Sequence, residues 1–311
     1  MNLLAGVWQN ASTPRAHSKF VQLRIHADPA SFLRVAAAFL QVTEAENSIM
    51  VTAVARMIAA PDPGDADAYF ACAMERDAVA AAALHVPDGA LLVTGGPARA
   101  IESIAADLAA RKRFPKRLVG PLSSCDAFTR VWRERTGIEH SLRFRLRHFA
   151  LTDMPAAPAM TGTMRCPEPA EYDLIARWQA AFMLEAGLPP DEAERARTRL
   201  ARRLEGGFVR VWDDRRGVSF AGFSETRRDD GSFSARIAPV YTPPQERGRG
   251  YASALVGALS RELLRAGRQP LYLTTDLANP TSNSIYSKIG YRPVADHFHF
   301  DLQSAGAGGV A

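Results

Sequence analysis

The sequence predicts an α+β protein in which one arrangement of elements occurs twice. Three observations carry that expectation. Apolar segments flank residues 76–77, 87–89, 215–217 and 228–232 so closely that no parallel crossover of a dozen or more residues fits between them, so each group of three strands is an antiparallel meander. The order of helix and strand patterns in residues 20–153 returns in residues 154–302, with almost no shared residue identity. A Pro/Ala/Thr-rich stretch, TDMPAAPAMTGT (152–163), lies between the two passes. Each half is expected to form a mixed, mostly antiparallel twisted sheet flanked by helices. The expected divisions are a loose N-terminus 1–19, a first domain 20–153, a second domain 154–302 and a loose tail 303–311.

In the first pass VQLRI (21–25) reads as a strand, and PASFLRVAAAFLQV (29–42) and AENSIMVTAVARMI (45–58) as helices. The strands AYFACAME (68–75), AVAAAALHV (78–86) and ALLVTG (90–95) follow. A helix over 98–113, the strand RLVG (117–120), a helix over 123–137 and the strand SLRFRLRHFAL (141–151) complete it. The second pass has helices over 169–187 and 189–207 and strands FVRVWDD (208–214), VSFAGFSETR (218–227) and FSARIAPVY (233–241). A helix ending at Gly267, the strand LYLTTD (271–276), a helix over 280–290 and the strand ADHFHFDL (295–302) close the chain.

Length and composition suit two soluble globular domains: 311 residues, 47% hydrophobic and 23% charged. The net charge of +5 is spread along the chain. No basic tract interleaved with aromatics and no zinc-finger spacing occurs, so nucleic acid is not an expected partner. Cys72, Cys125 and Cys166 are too far apart to suggest a disulfide framework, and each is expected to be a small buried apolar residue in a reducing compartment. With no secretory pattern and no apolar run of ~18 residues, the expectation is a cytoplasmic protein without membrane association. Oligomeric state, a homodimer included, is not readable.

One block stands apart. After the strand FSARIAPVY comes TPPQERGRG and then an amphipathic helix with Leu255, Leu259 and Leu263 on one face. Strand, glycine loop and helix N-terminus together offer backbone NH groups and a helix dipole to an anion, and Gly248 and Gly250 let the backbone approach a pyrophosphate. A dinucleotide-binding loop is a poor match, because TPPQER separates the strand from the first glycine, Ser253 stands where the third glycine belongs, and the preceding strands form a meander. Arg247 and Arg249 are expected to add positive charge at the rim.

Gln245-Glu246-Arg247-Gly248-Arg249-Gly250-Tyr251-Ala252 resembles the Q/R-x-x-G-x-G/A signature of the GNAT superfamily of N-acyltransferases, and NPTSNSIYSKIGYRPV downstream resembles that family's second motif. The resemblance rests on motifs between about residues 162 and 302, and on element order alone in the first half. It implies acetyl-CoA as co-substrate, with Val240, Tyr241, Thr242, Gln245, Arg247, Gly248, Arg249, Gly250, Tyr251, Ala252, Asn279 and Asn283 at its site. It also implies transfer of an acetyl group to a primary amine by direct attack in a ternary complex, the acceptor being a small-molecule or protein amine. No metal is implied, and His297 with His299 lacks a third ligand.

The resemblance puts Tyr286 beside the thioester sulfur, where a hydroxyl with a pKa of about 10 can protonate the leaving thiolate. NH groups near Val240 and Tyr241 would meet the oxyanion. Glu225 is the first candidate base and Glu185, grouped with Trp178 and Phe182, the second, with water-mediated deprotonation as the third reading. In the first half TGGPARA and GPLSSCDAF stand where the motifs belong, and Phe128 replaces the tyrosine, so that half reads as a degenerate copy. The alternative from a different class is a non-catalytic acyl-CoA sensor or interaction module.

Overall fold

Both passes are present, but they share one sheet. The computed structural model describes residues 21–304, apart from 87–88, 158–159, 188–189 and 229, so the expected loose termini lie almost wholly outside the described residues. The first pass comprises β1 (Gln22–His26), α1 (Pro29–Val42), α2 (Glu44–Ala59), β2 (Tyr69–Glu75), β3 (Ala78–His85), β4 (Ala90–Val93), α3 (Ala98–Ala110), β5 (Arg117–Gly120), α4 (Leu122–Thr136) and β6 (Ile138–Leu151). The second comprises β7 (Thr163–Arg165), α5 (Tyr172–Glu185), α6 (Pro190–Glu205), β8 (Val209–Asp213), β9 (Gly217–Arg227), β10 (Phe233–Tyr241), α7 (Tyr251–Arg265), β11 (Arg268–Asp276), α8 (Pro280–Ile289) and β12 (Arg292–Ser304). Each pass therefore runs strand, two helices, three strands, helix, strand, helix, strand.

The twelve strands follow the order β1-β2-β3-β4-β5-β12-β6-β11-β10-β9-β8-β7. The sheet runs across the sequence division near residue 153, because each half's last strand pairs into the other half. β12 pairs antiparallel with β5 through Phe298↔Gly120 and Phe300↔Leu118, while β6 pairs antiparallel with β11 through Leu271↔Leu151 and Thr274↔His148. The cores explain the exchange. Phe149 and Leu151 of β6 are buried with Leu255, Leu259 and Leu271 of the second half, whereas Phe300 and Leu302 of β12 are buried with Ile101, Ile104 and Trp132 of the first. Each such apolar side chain contributes roughly 1.5–3 kcal/mol by leaving water, and returning the strands to their own halves would forfeit those contacts.

Four helices cover each face. Phe70, Cys72 and Leu84 pack against α1 and α2, and Val209, Val211 and Phe220 against α5 and α6. The opposite face carries α3 and α4 in one half and α7 and α8 in the other. Helix α2 reaches beyond its own half: Glu44 accepts a hydrogen bond from Ser234 of β10 and pairs with Arg228 at 2.9 Å. Cys72 and Cys125 are buried as expected, their thiols pushed up to about 12 by desolvation, but Cys166 is exposed because it follows a three-residue edge strand.

Candidate functional site

The site begins where two parallel strands part. β10 and β11 pair in parallel from Phe233↔Arg268 to Arg236↔Tyr272 and no further, although β10 continues to Tyr241 and β11 to Asp276. A bulge between Ile237 and Val240 bends β10 away, and it contains Pro239, which has no NH to give a neighbour. The β11-facing edge of β10 beyond Arg236 is left open, forming a V that widens toward the strand ends.

Above the V, residues 242–250 turn the chain into α7. Gly248 and Gly250 adopt φ of 78° and 83°, left-handed values that cost other residues about 1–2 kcal/mol. A Cβ on either glycine would meet nothing within 4 Å, so backbone conformation dictates glycine here and the space above the loop is open. Gly250 is the N-cap of α7, and no side chain caps the helix. Its first-turn NH groups, the Tyr251 and Ala252 NH among them, and its dipole therefore face that space, which suits a pyrophosphate.

The side chains of this loop differ from the sequence expectation. Arg247 does not stand free at the rim: it donates to the Thr242 carbonyl at 2.9 Å, pairs with Glu185 at 2.6 Å and lies over the Tyr241 ring. Arg249 pairs with the buried Glu246 at 3.2 Å but keeps an exposed side chain. The Tyr251 hydroxyl donates to Asp214 at 2.7 Å, so its side chain secures the helix start rather than facing a ligand. Gln245 is exposed in the turn, Val240 is half-buried beside the V, and the Thr242 hydroxyl is hydrogen-bonded to Ser219 at 2.9 Å.

On the other side of the V, α8 begins at Asn279, whose side chain accepts from the Ser282 NH at 3.0 Å. Asn283 donates to the carbonyls of Asp276, Leu277 and Asn279, pinning the end of β11 to the helix, while its buried Oδ1 has no partner and is an acceptor left for a ligand NH. Tyr286 is nearly buried against Phe149 and Tyr291, and burial pushes its hydroxyl up to about 12. Among the described residues nothing hydrogen-bonds that hydroxyl, which stays protonated through the neutral range.

Glu225, the first candidate base, is engaged by an arginine in the structure. It pairs with Ala235 of β10, one residue before the last β10–β11 pair at Arg236, so it lies just below the apex of the V and about five residues short of Val240. Its carboxylate is held by Arg268 at 2.9 and 3.2 Å. Glu185 does reach the V, but accepts from the Tyr241 hydroxyl at 2.8 Å as well as pairing with Arg247, so both oxygens are engaged. Trp178 stacks on Phe220 and Phe182 packs edge-on to Tyr241, so both build the wall under α5.

The face of the V under α2, α5 and α6 holds groups that sequence reasoning passed over. Arg236 of β10 donates to the Thr274 hydroxyl at 3.0 Å, and Arg203 of α6 donates to the Ala238 carbonyl at 3.0 Å. Beside them His148 and His297 lie with ring centroids 4.3 Å apart. Burial holds both imidazoles neutral, His297 at about 4, and no group of acids, histidines and cysteines able to hold a metal occurs among the described residues. An arginine in the middle of the small and apolar strand FSARIAPVY was the available signal.

Comparison with known proteins agrees with this geometry. Residues 226–299, from the end of β9 through the loop, the V and α8 into β12, match the FR47-like protein family model. No curated protein sequence matches the chain. Among solved structures, a GNAT-family acetyltransferase from Colwellia psychrerythraea is similar over 91% of this chain and 99% of its own, with a TM-score of 0.55 at 10% identity. A GCN5-related N-acetyltransferase from Sphaerobacter thermophilus covers 90% and 95%, with 0.55 at 16%. A tandem GNAT protein from the clavulanic acid biosynthesis pathway covers 93% and 100%, with 0.51 at 18%. The chain therefore shares the fold of these structures over nearly its whole length, the tandem one among them.

Proposed function

We propose that this chain transfers an acetyl group from acetyl-CoA to a primary amine at the V of its second half. The observation that carries the reading is the junction of three features: strands that part after Arg236, an uncapped helix N-terminus above the opening, and a protonated Tyr286 beside it. Open space over Gly248 and Gly250 suits the pyrophosphate of acetyl-CoA, and the free Oδ1 of Asn283 suits an amide NH of its arm.

In this reading the amine attacks the thioester carbonyl directly. NH groups on the open edge of β10 near Val240 meet the developing oxyanion, Tyr286 donates its proton to the departing thiolate, and the proton the nitrogen sheds as the intermediate collapses returns to Tyr286 through water. Glu185 and Glu225 both being engaged by arginines, water in the V takes the proton from the ammonium. The acceptor enters from the face under α5 and α6, opposite Tyr286. The test is release of free CoA thiol from acetyl-CoA when purified protein meets an amine panel; tight acetyl-CoA binding without thiol release from any amine overturns the reading.

A further inference from the structure

Two arginines meet where β10 and β11 part, and neither has an acid. Arg236 spends one Nη on Thr274, and its buried Nε has no partner. Arg203 reaches down from α6 to the Ala238 carbonyl, passing over Gly222, where an added Cβ would stand 3.5 Å from its Nη1. Among the described residues no carboxylate lies within ion-pair distance of either guanidinium. Three nearby acids are committed elsewhere, Glu44 to Arg228 and Ser234, Glu185 to Arg247 and Tyr241, and Glu225 to Arg268 on the other face; Glu46 stands 4.0 Å from the neutral His297, and burial raises its carboxyl pKa.

Two cations facing one space without a counter-ion is an expensive arrangement. Removing a guanidinium from water costs several kcal/mol, and a second positive group adds repulsion. Desolvation lowers both pKa values to about 10, with Arg236 further lowering Arg203. Yet neither residue is wholly sealed off: Arg203 and Arg236 both keep some accessible surface. Charge is thus collected, left unpaired and kept reachable.

We propose that the amine acceptor carries a carboxylate, held by Arg203 and Arg236 at the apex of the V. The guanidinium is a planar fork that matches a carboxylate with two parallel hydrogen bonds, and two such forks from different elements can hold both oxygens. Reach sets the size of the molecule. Arg236 leans to the level of Thr274, and Ala238 lies two residues before Val240, so roughly 7 Å separates the arginines from the expected thioester carbonyl. That is the span of a short amino acid, and too small for a carboxylate on a distant part of a large acceptor. The inference rests on the acetyl-transfer reading above.

The test uses matched amines and wild-type protein. Thiol release is measured with 4-aminobutyrate against butylamine, L-alanine against L-alaninamide, and 3-aminopropylphosphonate as a phosphate-like member. The carboxylate members are expected to react with kcat/KM at least about tenfold above their neutral partners, the usual worth of a hydrogen-bonded charge pair. Equal rates within both pairs overturn the acceptor class and leave acetyl transfer standing, and a preference for the phosphonate overturns the carboxylate. Thiol release from no amine at all removes the transfer reading and this inference with it. Arg203→Gln and Arg236→Gln should each raise KM for the carboxylate members by about tenfold and so erase the preference within each pair, with a melting temperature no lower than that of the wild type. A matching loss for both members of a pair, or a lower melting temperature with selectivity intact, marks the arginines as structural.

Discussion

The two halves use the same element order and the same kind of residue for opposite ends. In the second half, Gly248 and Gly250 take left-handed conformations with empty space above them. In the first half, Gly96 occupies the equivalent turn, but a Cβ there would lie 2.5 Å from the Ala80 carbonyl oxygen. Gly120, at the end of β5, would strike the Val93 side chain at 2.6 Å and its carbonyl oxygen at 2.7 Å, so β4 and β5 stay pressed together where β10 and β11 part. The helix positions correspond as well. Tyr286 stands seven residues after the N-cap Asn279, and Phe128 stands seven after the N-cap Pro121, where it is fully buried on Trp132. One half keeps a gap and a hydroxyl; the other has filled both with packing.

That contrast can be broken from either side. Tyr286→Phe should lower kcat by about a hundredfold, the lower end of what a positioned acid contributes, with acetyl-CoA affinity in calorimetry nearly unchanged. The converse, Phe128→Tyr, should yield no second site and instead lower stability by about 1–3 kcal/mol, because its hydroxyl would be buried without a partner. Unchanged turnover in Tyr286→Phe would remove the proton-donor role.

Gly250→Val should weaken acetyl-CoA binding about tenfold or more, since valine resists left-handed φ and its side chain intrudes on the open space. Gly120→Ala should leave acetyl-CoA affinity intact and lower the melting temperature, at a cost of about 1–3 kcal/mol from overpacking against Val93. If each substitution produced the other's effect, the assignment of gap and packing to the two halves would be reversed.

Where the halves meet, the exchanged strands carry His148, His297 and His299, all held neutral by burial, His297 at about 4 and His299 at about 3. In the unfolded chain these imidazoles titrate near 6.5, so between that pH and about 4 the unfolded state binds more protons. Stability should therefore fall as pH drops from about 6.5 toward 4, read by urea denaturation across pH, and His297→Gln should flatten the slope. The smallest effect is expected for Arg249→Ala, whose exposed charge should change acetyl-CoA affinity by no more than about threefold and less in high salt.

Much of this was legible in the sequence because it is local. The meander followed from short turns, α8 from its Asn-Pro start and Gly290 stop, and the loop from its glycines. The strand exchange was not legible, because RLVG, SLRFRLRHFAL and ADHFHFDL state that they are strands and not which neighbour each will pair with. Arg247 and Arg249 looked alike in sequence, and Glu185, sixty-two residues away, separates them in the structure. Glu225 was drawn toward the site by its position on the neighbouring strand; register puts it just below the apex of the V, and Arg268, which no local pattern links to it, holds its carboxylate. The three-residue β7 is too short to show a pattern at all.

The exchange also fixes an order of events during synthesis. β5 ends at Gly120, yet the strand that must cover its edge begins at Arg292, and β6 likewise waits for both β11 and β12. While the ribosome makes everything between, the first half holds open strand edges that would pair with any extended chain. The final sheet closes from its middle, and contacts so distant in sequence form slowly. The alternation of arginine with apolar residues along RFRLR in β6 puts positive charge on that waiting edge, the kind of charge that disfavours edge-to-edge pairing between chains.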